Sequence, residues 1–331
     1  MDILTNVFLG QPAWMWLGFI GVVIALLALD LGVLHRGHRE IGVRESLMLS
    51  AFYIALGLGF GGFVWAQLGA QAGVEYLTGF VVEKSLAMDN VFVIAMIFAF
   101  FAIPRQYQHR VLFWGVLGVI VLRAIMIGFG AALVSEFAWV LYLFAAFLIV
   151  TGVKMLWLSS EDKDLADNPL LRFIRKRFPV TDQLHGERFF VRQTHAKTGR
   201  SVLHLTPLFL ALVFIEIADV IFAVDSVPAI FAITTDPYIV YTSNIFAILG
   251  LRALYFALAA VLNRFAYLKQ ALAVLLVFIG SKIFVADLFG WTKFPAEWSL
   301  ATTFAILAAG VVYSLWRTRA PAPTLAHKGE A

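Results

Sequence analysis

The 331-residue chain contains no cysteine. Thiolate catalysis, disulfide cross-links and soft-metal thiolate sites are therefore excluded. Charge is scarce as well: Asp, Glu, Lys and Arg make up 14% of the residues, where a soluble domain carries about a quarter. The N-terminal segment lacks a basic region ahead of its first apolar run. That run, about 14 to 34, is long enough to remain as a membrane span rather than a cleaved signal. No nucleotide-binding loop, cofactor motif or nucleophile and base pair is present, so neither an enzyme nor a resident cofactor is expected.

What is abundant is apolar surface, with 61% hydrophobic residues and a mean hydropathy of +0.87. These values describe a polytopic membrane protein whose main partner is the lipid bilayer. Windows of about 20 apolar residues place nine spans near 14–34, 46–66, 76–103, 110–133, 137–158, 203–234, 243–262, 268–290 and 299–316. The expected fold is therefore an all-α transmembrane helix bundle.

Of the 25 Lys and Arg residues, 19 fall in segments 35–45, 104–110, 159–200, 263–270 and 317–331, and the alternate loops hold Lys293 alone. By the positive-inside rule the N-terminus is outside and the C-terminus cytoplasmic. The net charge of +4 is thus explained by topology, and nucleic acid is not an expected partner. Within the polar segment 159–202, the stretch DNPLLRFIRKRFP predicts an amphipathic helix started by Asp167 or Asn168 and Pro169, lying on the anionic inner leaflet. A hairpin turning at Thr198–Gly199 is expected after it.

The informative residues are charges inside the spans, each costing roughly 2.5 to 3.5 kcal/mol at mid-helix. EKSLAMDN carries Glu83, Lys84, Asp89 and Asn90, and EIADVIFAVDSVP carries Glu216, Asp219, Asp225 and Ser226. These two stretches open an internal repeat. Glu83 and Asp89 are six residues apart, as are Asp219 and Asp225. Each pair is followed by Leu-Arg-Ala, with Arg123 or Arg252, and then by Gly-x-Lys, with Lys154 or Lys282. Each copy holds three spans, an odd number, so the copies cross the membrane in opposite senses.

Inverted repeats of this kind are the architecture of alternating-access carriers. The chain divides accordingly into spans 1 and 2 (1–75), repeat 1 (76–158), the cytoplasmic loop (159–202), repeat 2 (203–290), and span 9 with its tail (291–331).

Residues six apart on a straight helix point about 120° away from a common face. For Glu83 and Asp89 to serve one site, their helix has to unwind, and Pro228 predicts a break in the sixth span. Glu216 and Asp219, three apart, share a face already. With Asn90 and Ser226 these acids form an all-oxygen donor set that suits manganese, magnesium or calcium. No His lies in the core of a span, which disfavours zinc and copper.

Lys84, Arg123, Lys154, Arg252 and Lys282 are expected as counter-ions or gates. The same charges could instead form ion pairs that only hold the bundle together. Asp30 and Asp287, near span ends, are expected at the solvated interface, with coupling as a secondary role. A carrier of an organic cation or amino acid, and a non-transporting scaffold, stay open.

The stretches EYLTGFVVEKSLAMDNVFV, VLFWGVLGVIVLRAIMI, LIVTGVKM and IEIADVIFAVDSVPAIFAITTDPYIVYTSNIFAILGLRALYF resemble the TerC family of bacterial membrane proteins, most closely its Alx branch. The resemblance implies a member of the lysine-exporter-like transporter superfamily in the inner membrane, associated with manganese export and, by name, with tellurite resistance. It implies that Glu83, Asp89, Asn90, Glu216, Asp219, Asp225 and Ser226 bind the transported divalent cation. Exchange against protons follows from competition of both for the same oxygens.

Overall fold

The structure, a computed structural model, describes residues 6–34, 43–137, 139–157, 169–194, 201–258, 268–291 and 294–317. The side chains of residues 31–34, 43, 88, 89, 92, 169, 170, 194, 225, 258, 268 and 269, Asp89 and Asp225 among them, lie outside the described set. Backbone amides in hydrocarbon have no water to bond, so each apolar run satisfies its own as a helix. The helices are α1 (Ala13–Leu34), α2 (Val43–Leu68), α3 (Ala70–Phe100), α4 (Arg105–Glu136), α5 (Val140–Trp157), α6 (Pro169–Arg177), α7 (Pro207–Phe231), α8 (Pro237–Ile248), α9 (Leu251–Leu258), α10 (Leu268–Leu288) and α11 (Ala296–Arg317).

Among the described residues, eight segments are long and apolar enough to cross a membrane, with α8 and α9 counted as one. The third expected span, α3, is not among them. Any 18-residue window of α3 takes in at least three of Glu75, Glu83, Lys84 and Asp89. The protein is an all-α polytopic membrane bundle.

Two short antiparallel hairpins complete the fold. β1 (Val7–Phe8) pairs with β2 (Gln11–Pro12), and β3 (Phe190–Thr194) pairs with β4 (Ser201–Leu205) in the register Phe190↔Leu205 to Thr194↔Ser201. The second is the hairpin expected from the sequence, although its Thr198–Gly199 turn lies outside the described residues.

Three expectations are corrected. The sixth span does not break at Pro228: α7 runs through it and ends three residues later. Having no N–H, Pro228 cannot donate to the carbonyl of Val224 four residues back, and the helix ends within a turn of it. α3 is likewise continuous over 31 residues, so the backbones of 83 and 89 stay on different sides of one helix.

The break falls instead in the seventh span. α8 ends at Ile248, and Gly250 turns the chain at φ +81 before α9 begins. A Cβ on Gly250 would lie 2.7 Å from the Cβ and Cγ of Tyr53 in α2. Both backbone angle and packing therefore require glycine.

The third correction concerns α6. Leu171 and Ile174 are buried in a cluster with Ile103, Val111, Leu208 and Leu210, so that its apolar stripe faces the bundle rather than the leaflet. Phe173 and Phe178 remain exposed.

α5 crosses α10 through reciprocal glycines. A methyl group on Gly152 would lie 2.6 Å from the carbonyl oxygen of Ala273, and one on Gly280 2.5 Å from that of Ala145. Ala273 precedes Gly280 by seven residues, and Ala145 precedes Gly152 by seven. The helices are therefore antiparallel, and each glycine makes the contact its counterpart makes. Around this crossing α4 packs along α7 and α3 along α8, leaving the charged segments of α3, α4 and α7 in contact.

Candidate functional site

Arg123 is the largest fully buried side chain among the described residues, 1% exposed. It projects from the middle of α4 between α3 and α7. Its Nε donates to Asp219 Oδ2 at 3.2 Å and its Nη2 to Asp219 Oδ1 at 3.1 Å. Its Nη1 donates to Ser226 Oγ at 2.8 Å and also pairs with Glu83. One guanidinium thus holds one carboxylate from α3 and one from α7. A planar fork with five N–H donors is suited to this, whereas an ammonium is not.

Asn90, two turns along α3 from Glu83, donates through Nδ2 to Asp219 Oδ1 at 3.3 Å. Its Oδ1 is buried and accepts no hydrogen bond from the described residues. Glu216 sits one turn before Asp219 on α7, against Gly118 of α4, where any side chain would collide with its carboxylate. Its Oε2 is also buried without a partner. A small cavity lined by Asn90, Val119, Ile215, Ala218, Asp219 and Leu251 lies beside the Asn90–Asp219 contact. The cluster therefore combines two carboxylates sharing one guanidinium with two buried oxygens that no described group satisfies.

Four of the seven expected ligands, Glu83, Asn90, Asp219 and Ser226, meet around Arg123, and Glu216 is adjacent. The side chains of Asp89 and Asp225 lie outside the described residues. Among the described residues no three His, Asp or Glu side chains stand ready as a metal cage; the guanidinium occupies the space between the acids.

The remaining charges divide by role. Lys84 does not pair with an acid. It is buried, and its Nζ donates to the carbonyls of Ala247 at 3.0 Å and Leu249 at 3.4 Å. The break at Gly250 leaves these carbonyls without helical donors, and a cation at a helix C-terminus is favoured.

Arg252, the counterpart of Arg123, is buried against α1. Its Nη2 bonds the carboxylate of Asp30 and the Asp30 carbonyl oxygen at 3.1 Å, while its Nε and Nη1 have no hydrogen-bond partner. Asp30 is thereby an ion-pair partner instead of a group solvated at the interface, because α9 brings a buried cation beside it.

Lys282 is buried and donates to Ser299 Oγ of α11 at 3.2 Å. Its counterpart Lys154 is exposed in the last turn of α5. Asp287 is exposed at the end of α10, in a vestibule it shares with Lys282, Thr234, Thr235, Tyr142 and Trp291.

Sequence reading passed over α8. Thr242, Ser243 and Asn244 are all fully buried. The two hydroxyls donate back to the carbonyls of Tyr238 and Ile239 at 2.7 Å each, whereas neither amide atom of Asn244 has a partner among the described residues. The available signal was three consecutive polar residues in a span that has no other reason to hold them.

Comparison with known proteins places this arrangement in a family. A 46% identical relative, the protein Alx of Escherichia coli (strain K12), whose description proposes a membrane-bound redox modulator, matches over 93% of this chain and 95% of its own. Uncharacterised membrane proteins of Myxococcus xanthus and Rickettsia bellii are 46% and 47% identical, over 95% and 91% of this chain and 95% and 97% of theirs. No solved structure is a significant match. Residues 68–322, which contain every charged side chain of the cluster, match the family described as integral membrane protein TerC. The chain belongs to the TerC family of integral membrane proteins.

Proposed function

We propose that the protein is a secondary transporter that exports manganese(II), or a similar hard divalent cation, through the site built on Glu83, Asn90, Glu216, Asp219 and Ser226. The observation that carries this reading is the pair of orphaned oxygens, Asn90 Oδ1 and Glu216 Oε2, beside carboxylates held by one cation. Buried acceptors without donors are costly and uncommon in native proteins. A divalent cation would satisfy them and take over the acids from Arg123. The donors are all oxygen, the set preferred by manganese and magnesium over zinc and copper.

Two further observations support alternating access. The reciprocal contacts of Gly152 and Gly280 fit an inverted pair of repeats with a two-fold axis in the membrane plane. The two repeat-related arginines are in unequal states, Arg123 on the central acids and Arg252 withdrawn to Asp30. Inverted-repeat carriers move by exchanging such inequalities between their halves. The distribution of Lys and Arg supports a cytoplasmic C-terminus, and the family resemblance supports the inner membrane as the protein's location.

The redox role proposed for Alx cannot rest on thiols in a chain without cysteine. Export of a redox-active metal is one route by which such a chain would affect redox balance.

Cellular manganese, measured by elemental analysis in cells given excess manganese, tests the reading. Expression of the wild type is expected to lower it, and Glu216→Gln, which keeps the shape of the side chain and removes its charge, is expected not to. Manganese unchanged by the wild type would contradict the proposal.

A further inference from the structure

Asn244 is buried to 0% exposure, and its amide oxygen and nitrogen have no hydrogen-bond partner among the described residues. Its position is bracketed on α8. Three residues before it, Tyr241 donates its hydroxyl to the carbonyl of Ala124 at 2.7 Å, and Ala124 directly follows Arg123. Three residues after it, the Ala247 carbonyl accepts from Lys84 at 3.0 Å, and Lys84 directly follows Glu83. Residues 241 and 247 lie about 60° to either side of 244 around the helix axis, one toward α4 and the other toward α3. Asn244 therefore sits between α3 and α4 at the depth of the Glu83–Arg123 pair. The neighbouring Ser243 packs on Gly79, where a Cβ would lie 3.1 Å from Ser243 Oγ, and Gly79 precedes Glu83 by one turn.

Leucine has nearly the shape of asparagine and would fill this position without stranding polar atoms. A fully buried amide that bonds nothing lowers stability, and a group kept at such a cost calls for a partner that comes and goes. A divalent cation provides one: the amide oxygen is a neutral hard ligand, and the amide nitrogen can donate to a carboxylate of the same site.

From this placement we propose that Asn244 is a ligand of the transported divalent cation, contributed by α8 to the site formed by α3 and α7. The proposal rests on the reading of the protein as a divalent-cation carrier. With the cation seated, the amide oxygen takes a coordination position from the α8 side, and the cation then touches both repeats and the broken helix. Motion of the α8–α9 break is thereby tied to occupancy. A neutral ligand also tempers the charge of the site, so that the cation is held loosely enough to leave.

The test uses the full-length protein in proteoliposomes with manganese(II) as the probe, and its melting temperature in detergent. Asn244→Leu is expected to melt at or above the wild-type temperature while its KM for manganese rises about tenfold or more, the usual effect of losing a contribution to a metal site. Asn244→Asp, which keeps shape and adds a charge, is expected to lower KM and slow turnover. These opposite movements in KM are not produced by a residue that only packs.

If the wild type moves manganese and Asn244→Leu does so with wild-type KM, Asn244 is not a ligand while the carrier reading stands. Should Asn244→Leu fail to fold, an unchanged KM in Asn244→Asp overturns the assignment equally. If the wild type moves no manganese, the carrier reading itself fails, and the ligand assignment with it.

Discussion

Arg123 meets Asp219 side-on through two parallel hydrogen bonds, Nε to Oδ2 at 3.2 Å and Nη2 to Oδ1 at 3.1 Å. Bidentate pairing is the strongest geometry a carboxylate and a guanidinium can adopt, and here both partners are buried. Removing one partner of such a pair is far more costly than never having built it. A carrier can open the pair only by exchange, with an incoming cation replacing the guanidinium as counter-charge.

Arg123→Met strands Glu83 and Asp219 as two buried acids. A stability loss of about 3–5 kcal/mol is expected, seen as a lowered melting temperature in detergent. Adding Glu83→Gln and Asp219→Asn to the same chain is expected to recover most of that loss without recovering transport. If Arg123→Met alone melts like the wild type, the guanidinium is not what holds the acids.

Lys84→Met leaves the Ala247 and Leu249 carbonyls at the α8–α9 break without their donor. The expected loss is about 1–3 kcal/mol, and it is local. Hydrogen exchange of amides near residues 245–254 should quicken while those of α5 and α10 are unchanged. A uniform increase across the protein would mean that Lys84 supports the bundle as a whole.

Gly152→Ala and Gly280→Ala should cost stability equally. Each methyl group would run into a carbonyl of the facing helix, an overpacking penalty of about 1–3 kcal/mol. Similar drops in melting temperature are expected because the two contacts are reciprocal. A large effect at one glycine and none at the other would argue against symmetry at the crossing.

Asp30→Asn and Arg252→Gln should couple. The pair is buried between α1 and α9, so each single variant strands a partner, and the double variant is expected to be less destabilised than the sum. A double-mutant cycle on melting free energies reads the coupling. Strict additivity would show that the two residues act independently.

The sequence carried the charges plainly, because Glu83, Arg123 and Asp219 are conspicuous in apolar runs. The Leu-Arg-Ala and Gly-x-Lys spacings were legible as well. The sequence did not carry which base meets which acid, since that depends on how α4 is rotated between α3 and α7.

The helix break was misread because proline is the louder signal. Pro228 falls where a helix is already ending, while Gly250 looks like one more small residue until its φ and the ring of Tyr53 are seen. The apolar stripe of α6 was legible, but its choice between lipid and protein was not. Asn244 was missed because an uncharged amide raises no alarm in a span. Its cost becomes visible only when its partners can be counted.

Manganese(II) flux into proteoliposomes containing the purified protein, with a metal-sensitive dye inside, tests the central claim most directly. Saturable flux in the wild type, reduced about tenfold or more in Glu216→Gln by loss of one ligand charge, is the result expected. Flux no greater than in protein-free liposomes, or equal flux in the wild type and Glu216→Gln, would contradict a divalent-cation site at Glu83, Asn90, Glu216 and Asp219.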